Sequence, residues 1–264
     1  MDGKFVNIEK TGRVAVVRFD RGNAANALSM EAMRELTVAA QSFSDDHETS
    51  AVILAARADN FTLGADLKDA ETAGLRDAGL AEKRQKLMTG ARMCRAWEEI
   101  EPLTIAAIEG WCVGGGVALT VALDLRIMGA GAHMYVPEIE RGMNMSWGSV
   151  PRITNLVGPA KAKRIVVLAE KLTAARAVDW GLADEVAEDG KAFDLAMDMA
   201  LRAAAMPPVG VRMCKQDINA YANALNHVAS HSDFEQFALA QSGEDFAEGV
   251  NSFFEGRAPK FTGG

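Results

Sequence analysis

Two glycine-bearing turns constrain this chain more than any other feature: Phe61-Thr62-Leu63-Gly64-Ala65-Asp66-Leu67-Lys68 and Gly110-Trp111-Cys112-Val113-Gly114-Gly115-Gly116-Val117-Ala118-Leu119. Each follows a short apolar run, at 51–56 and 104–108, of the kind that fills a central strand. Glycine takes positive φ at little cost and lets a ligand approach the backbone. Residues 116–123 then read as a buried helix, whose first turn carries roughly half a positive charge. Backbone N–H groups from two such turns can meet on one carbonyl oxygen. Fixed amide dipoles of this kind stabilise an enolate without reorganising, and losing one donor costs roughly 100- to 1,000-fold in rate.

Strand and helix patterns alternate along the chain. Residues 14–19 read as a strand ended by Asp20-Arg21-Gly22-Asn23. Ser29 then caps a helix running to about Phe43, with Met30, Met33, Leu36 and Ala40 on one face. A polar region with Gly74 and Gly79 precedes a helix over 81–100, which Pro102 stops. Residues 125–128 and 133–136 read as strands, and from about Pro159 the pattern is mostly helical. Periodicity alone supports a mixed α/β protein, and no internal repeat stands out.

With 264 residues, 49% of them apolar, the chain can bury a substantial core. No stretch approaches the ~18 consecutive apolar residues of a membrane span, and Met1-Asp2-Gly3-Lys4-Phe5 lacks the layout of a secretion signal. A cytoplasmic protein without a membrane partner is expected. Cys94, Cys112 and Cys214 are odd in number and far apart, which predicts reduced thiols and neither a disulfide framework nor a metal cluster. A net charge of −8 argues against a nucleic-acid partner. His227 and His231 have the spacing of two helical metal ligands but no intervening glutamate, so a solvated helix face is expected.

Both glycine motifs, with their order and spacing, resemble the crotonase superfamily, the enoyl-CoA hydratase/isomerase family. The resemblance extends over nearly the whole chain. It takes in Asn26-Ala27-Leu28, then Val136-Pro137-Glu138-Ile139 followed by Gly142, then Val157-Gly158-Pro159-Ala160-Lys161-Ala162. Ala177-Val178-Asp179-Trp180-Gly181-Leu182-Ala183-Asp184-Glu185-Val186 and the C-terminal Glu244-Asp245-Phe246-Ala247-Glu248-Gly249 with Arg257-Ala258-Pro259-Lys260-Phe261 complete it.

The resemblance implies an α/β fold with a spiral core of repeated strand–strand–helix units over 1–196. A C-terminal helical region over 197–264 would build trimers, often paired as hexamers. It implies an acyl-CoA substrate and no metal or redox cofactor, coenzyme A being part of the substrate. The backbone N–H groups of Ala65 and Gly115 would hold the thioester oxygen. Ala25, Ala27, Ala65, Asp66, Leu67, Lys68 and Gly115 would border the coenzyme, with Lys68 near a phosphate; the acidic chain needs such a local basic contact. Lys260 and Arg257 match a region that reaches a neighbouring subunit's ligand, although Gly256 stands at the usual basic position.

Glu138 is the implied proton-transferring residue. A carboxylate is a weak base in water, and burial raises its pKa toward neutrality so that it can both take and return a proton. Two-glutamate hydratases of the family carry their other glutamate where this chain has Ala118, and a methyl group cannot hold water. Ser146 likewise replaces the aspartate of the dienoyl-CoA isomerases. One carboxylate suffices to shift a double bond, so enoyl-CoA isomerisation is the leading expectation. Hydration of an enoyl-CoA, such as a bulky or aryl one, is the alternative, and a catalytically silent acyl-CoA-binding protein is a third. Met143 and Trp147 either line an acyl pocket or pack in the core. Glu140 receives no role.

Overall fold

The computed structural model describes residues 3–74 and 78–264. The chain opens with β1 (Val6–Thr11), β2 (Val14–Phe19), α1 (Met30–Gln41) and β3 (Ala51–Ala55), followed by α2 (Ala70–Ala73), α3 (Leu80–Leu87) and α4 (Thr89–Glu98). The centre holds β4 (Leu103–Ile108), β5 (Trp111–Val113), α5 (Gly115–Thr120), β6 (Leu125–Gly129), β7 (His133–Tyr135) and a 3-10 turn over Glu138–Arg141. Then come α6 (Ser149–Val166), β8 (Leu172–Thr173), α7 (Ala174–Trp180), β9 (Glu185–Ala187) and α8 (Ala192–Ala204). Four helices finish the chain: α9 (Pro208–Ala222), α10 (Asn226–Ala229), α11 (Asp233–Ser242) and α12 (Glu244–Glu255).

The main sheet runs β1-β2-β3-β4-β6-β9, with β1 antiparallel to β2 and the later neighbours parallel. A small sheet, β5-β7-β8, stands beside it. Side chains alternate across the main sheet. Val14, Val16, Ile53, Ile105 and Ile127 face α8, whose Ala192, Ala196 and Ala200 present a stripe of small residues to them. Ala15, Val17, Val52, Leu54, Ala106 and Ile108 face the larger core formed with α1, α4 and α5. Coverage on both faces explains why β3 is apolar throughout.

Two buried cations tie the helices to this frame. Arg126 is 1% exposed and pairs with Asp184 at 2.9 Å. It also donates to the carbonyls of Leu123 and Leu182, so it closes the carboxyl end of the α5 segment and fixes the approach to β9. Lys215 of α9 reaches Asp124 at 2.6 Å and the Pro102 carbonyl at 2.8 Å, which anchors the C-terminal helices at the start of β4. No described helix is long and apolar enough to cross a membrane.

The expected mixed α/β architecture with C-terminal helices is present, and several boundaries differ. β1 was not legible, and the helix expected over 81–100 breaks at Met88 into α3 and α4. Helix starts at Ser149 rather than Pro159, with Gly158 at φ 76 as a kink inside α6. The expected boundary at residue 196 falls within α8.

Candidate active site

The two glycine turns touch. Leu28 N–H donates to the Gly64 carbonyl at 2.8 Å and Asp66 N–H to the Leu28 carbonyl at 3.0 Å, a parallel bridge that leaves the Ala65 N–H turned away from Leu28. Thr62 N–H donates to Trp111 and Val113 N–H to Thr62, both at 3.0 Å, so the first turn is stitched to the second. A methyl group built on Gly64, at φ 92, would lie 2.9 Å from the Val113 carbonyl oxygen and 3.6 Å from the Gly115 nitrogen. Gly114 takes φ 51, ψ −111 and donates to the Tyr135 carbonyl at 2.8 Å. That backbone is sterically closed to L residues. Gly115 then opens α5, and all six residues of this helix are buried. Among the described residues, neither the Ala65 nor the Gly115 N–H has a protein acceptor.

Glu138 stands against this junction. It is the first residue of the 3-10 turn, not the end of a strand, because β7 stops at Tyr135 and Pro137 redirects the backbone. A methyl group on Gly114 would lie 2.5 Å from Glu138 Oε1. Oε2 is closed to solvent and has no hydrogen-bond partner, although the residue as a whole is only half-buried. Burial lifts the carboxyl to about 7, against the smaller opposing pull of its backbone N–H contact and of Arg141. This is the protonation behaviour a group needs to act as base and acid near neutral pH.

The turn is braced from behind by α12. A methyl group on Gly249 would lie 2.5 Å from the Arg141 carbonyl carbon, and one on Gly142 would collide with the Asp245 carbonyl, so the two backbones are in contact. Arg141 lies over the Phe253 ring, 4.0 Å from its centroid. Glu140 is engaged elsewhere: it accepts the Tyr135 hydroxyl and lies 3.5 Å from Arg141. Ala118 is 1% exposed, and its methyl group belongs to the main core.

The residues expected to border the coenzyme gather in one loop cluster. Leu63 N–H donates to Ala25 at 2.9 Å, and Arg21 bridges the Ala27 carbonyl and Asp66 at 2.9 Å each. Asp66 is therefore tied to the early loop. Asn26 holds that loop from inside, fully buried at φ 42, with its side chain donating to Phe19 and Phe61 and accepting from Arg21 N–H. Leu67 and Lys68 are exposed, and the Lys68 ammonium lies 5.4 Å from the Phe254 ring of α12. Arg257 is paired with Glu248 and Glu255.

Trp147 has an unusual setting, packed on the main core yet beside the glycine junction. It has φ 61 and is followed by Gly148 at φ 69. A left-handed aromatic residue costs about 1–3 kcal/mol and persists only where its surroundings enforce it. Here Arg152, held by Glu98 through two 2.8 Å contacts, donates to the Trp147 carbonyl at 3.0 Å, and Gly148 N–H donates to Asp233 at 2.8 Å. The indole is thereby laid against Gly115: a methyl group there would be 2.6 Å from Cζ3 and 2.8 Å from Cη2.

The sequence profile described as enoyl-CoA hydratase/isomerase matches residues 9–264. A short-chain-enoyl-CoA hydratase of Clostridium acetobutylicum is 30% identical over 253 residues, covering 96% of this chain and 95% of that protein. Among solved structures, an enoyl-CoA hydratase/isomerase of Pseudoalteromonas atlantica superposes with a TM-score of 0.86 at 25% identity, covering 98% of this chain and 100% of the other. Carnitinyl-CoA hydratase of Mycobacterium avium gives 0.85 at 28% identity, covering 99% of each chain. A profile match over nearly the entire length, on a fold shared with these proteins, places the chain in the enoyl-CoA hydratase/isomerase family of enzymes.

Proposed function

We propose that this protein hydrates an enoyl-CoA thioester, with Glu138 as its single proton-transferring side chain and the Ala65 and Gly115 N–H groups as the clamp on the thioester oxygen. The observation that carries the reading is Glu138 Oε2, enclosed and without a partner, on a carboxylate seated against Gly114. Ionised Glu138 takes a proton from water as the water oxygen bonds to the β-carbon, and the π electrons move onto the thioester oxygen. Two amide dipoles stabilise that enolate. The enolate then collapses, the α-carbon takes the proton from the Glu138 carboxyl, and the carboxylate is regenerated. One group suffices because both transfers occur on one side of the substrate and use one proton.

Relatives named as hydratases favour hydration over the isomerisation that Ala118 alone ranks first. Isomerisation remains the second reading, since the same carboxylate can move a proton from the α- to the γ-carbon or back. Incubating the protein separately with crotonyl-CoA and a 3-enoyl-CoA separates them: hydration consumes the first and yields a 3-hydroxyacyl-CoA. Conversion of the 3-enoyl substrate alone would overturn the hydratase reading, and binding of both without turnover would favour a silent acyl-CoA-binding protein. A homotrimer, alone or paired as a hexamer, fits the apolar side chains that α9 to α11 leave exposed, among them Met213, Ile218, Tyr221 and Leu239. Sedimentation velocity tests that assembly.

A further inference from the structure

We infer that Trp147 is the acyl-selectivity residue of this site: its indole fills the space a long acyl chain would need, so the site takes short, flat enoyl groups. The inference rests on the reading of Glu138 and Gly115 above. A thioester clamped by the Gly115 N–H, with its α-carbon facing Glu138 on the adjacent Gly114, has its acyl end beside the Gly115 Cα. Trp147 Cζ3 and Cη2 occupy that flank, and Leu28 Cδ1 borders it, 3.4 Å from where a Gly115 methyl group would be.

The far edge of the ring is seated on α4. A Cβ at Gly90 would collide with Trp147 Cε2, Cζ2 and Cδ2. Gly90 lies inside a helix, where glycine is disfavoured, and its backbone is not in the left-handed region. The space for the indole is what its missing side chain provides. Leu28, Trp147 and Gly90 thus form one wall from α5 to α4, and Arg152 and Asp233 fix the wall through the backbone of Trp147 and Gly148. The indole also packs against the main core, which holds it on this flank whatever acyl group enters.

The test uses the full chain and its variants Trp147→Ala, Trp147→Phe and Gly90→Ala, with crotonyl-CoA and 2-decenoyl-CoA as substrates. Apolar pockets discriminate roughly tenfold or more per methylene, so Trp147→Ala is expected to raise the decenoyl-to-crotonyl ratio of kcat/KM by at least roughly tenfold, mainly through KM. Gly90→Ala pushes the ring toward Gly115 and is expected to lower kcat/KM for crotonyl-CoA, with recovery when Trp147→Ala is added. Calorimetric affinities for butyryl-CoA and decanoyl-CoA, saturated thioesters that cannot be hydrated, give the same ratio without net turnover. The inference is overturned if Trp147→Ala and Trp147→Phe both keep the wild-type chain-length ratio, or if Gly90→Ala is as active as wild type. A wild type that binds butyryl-CoA but converts no thioester sinks the hydratase reading instead, while the affinity ratio still decides the role of Trp147.

Discussion

Replacing Glu138 with glutamine should stabilise the protein while abolishing its chemistry, and the gain should depend on pH in a defined direction. Burial moves this carboxyl from 4.5 to about 7. Between those values the folded state binds a proton that the unfolded state has lost, so stability falls as pH rises through the window and levels off above it. At 1.36 kcal/mol per pH unit, ionised Glu138 costs the folded protein about 3 kcal/mol at alkaline pH. Glutamine does not ionise, though its amide stays enclosed and offsets part of the gain. We expect Glu138→Gln to be more stable than wild type by about 2 kcal/mol at pH 8, or roughly 4–8 °C in Tm. Near pH 4 both side chains are neutral and the gain should be gone, leaving only the pH-independent cost of the enclosed amide, about 1 kcal/mol against the variant. Thermal denaturation at both pH values, at one protein concentration, measures this. An equal offset at both, or a loss of stability at pH 8, would refute the argument that desolvation sets this group's behaviour.

Three further outcomes follow from the same geometry. Gly114→Ala places a Cβ 2.5 Å from Glu138 Oε1 on a backbone with φ 51; kcat/KM should drop by roughly 100-fold or more as the clamp and carboxylate part, read in steady-state kinetics. In wild type, kcat/KM for crotonyl-CoA should rise with pH to a plateau with its midpoint at about 7, reflecting ionisation of the base in free enzyme; a flat profile from pH 5 to 9 would contradict this. Arg126→Met removes the donor that serves the carbonyls of Leu123 and Leu182 and leaves the partly exposed Asp184 without its cation, and urea titration should show a loss of about 2–3 kcal/mol.

What was legible in the sequence is what local physics determines. β2 spans the expected residues, because its run is buried and apolar apart from the exposed Arg18. Ser29 caps α1 by accepting from Ala32 N–H at 3.2 Å, as its side chain predicts. The glycine turns were readable because their conformations exclude other residues. β1 was not: apart from Val6 it carries no fully buried side chain, and its pairing with β2 defines it. β8 and β9 are too short to show periodicity. Pro151 sits in the first turn of α6, where proline is tolerated, so that helix begins earlier than the Gly158-Pro159 pair suggests. Glu138 was identifiable through the family pattern, whereas the 3-10 turn that aims it depends on packing by α12. The Gly90–Trp147 contact joins segments far apart in sequence, and neither segment signals the other.

In the proposed mechanism one carboxylate removes and returns a proton at the carbon beside a clamped thioester. Butyryl-CoA has no double bond to hydrate, so exchange of its α-hydrogens with deuterated solvent isolates that step. Followed by proton NMR, the wild type is expected to wash deuterium into the α-position, and Glu138→Gln is expected to do so at least roughly 100-fold more slowly while binding the thioester with similar affinity. Exchange at the wild-type rate in Glu138→Gln, or none in a wild type that binds butyryl-CoA, would contradict the account.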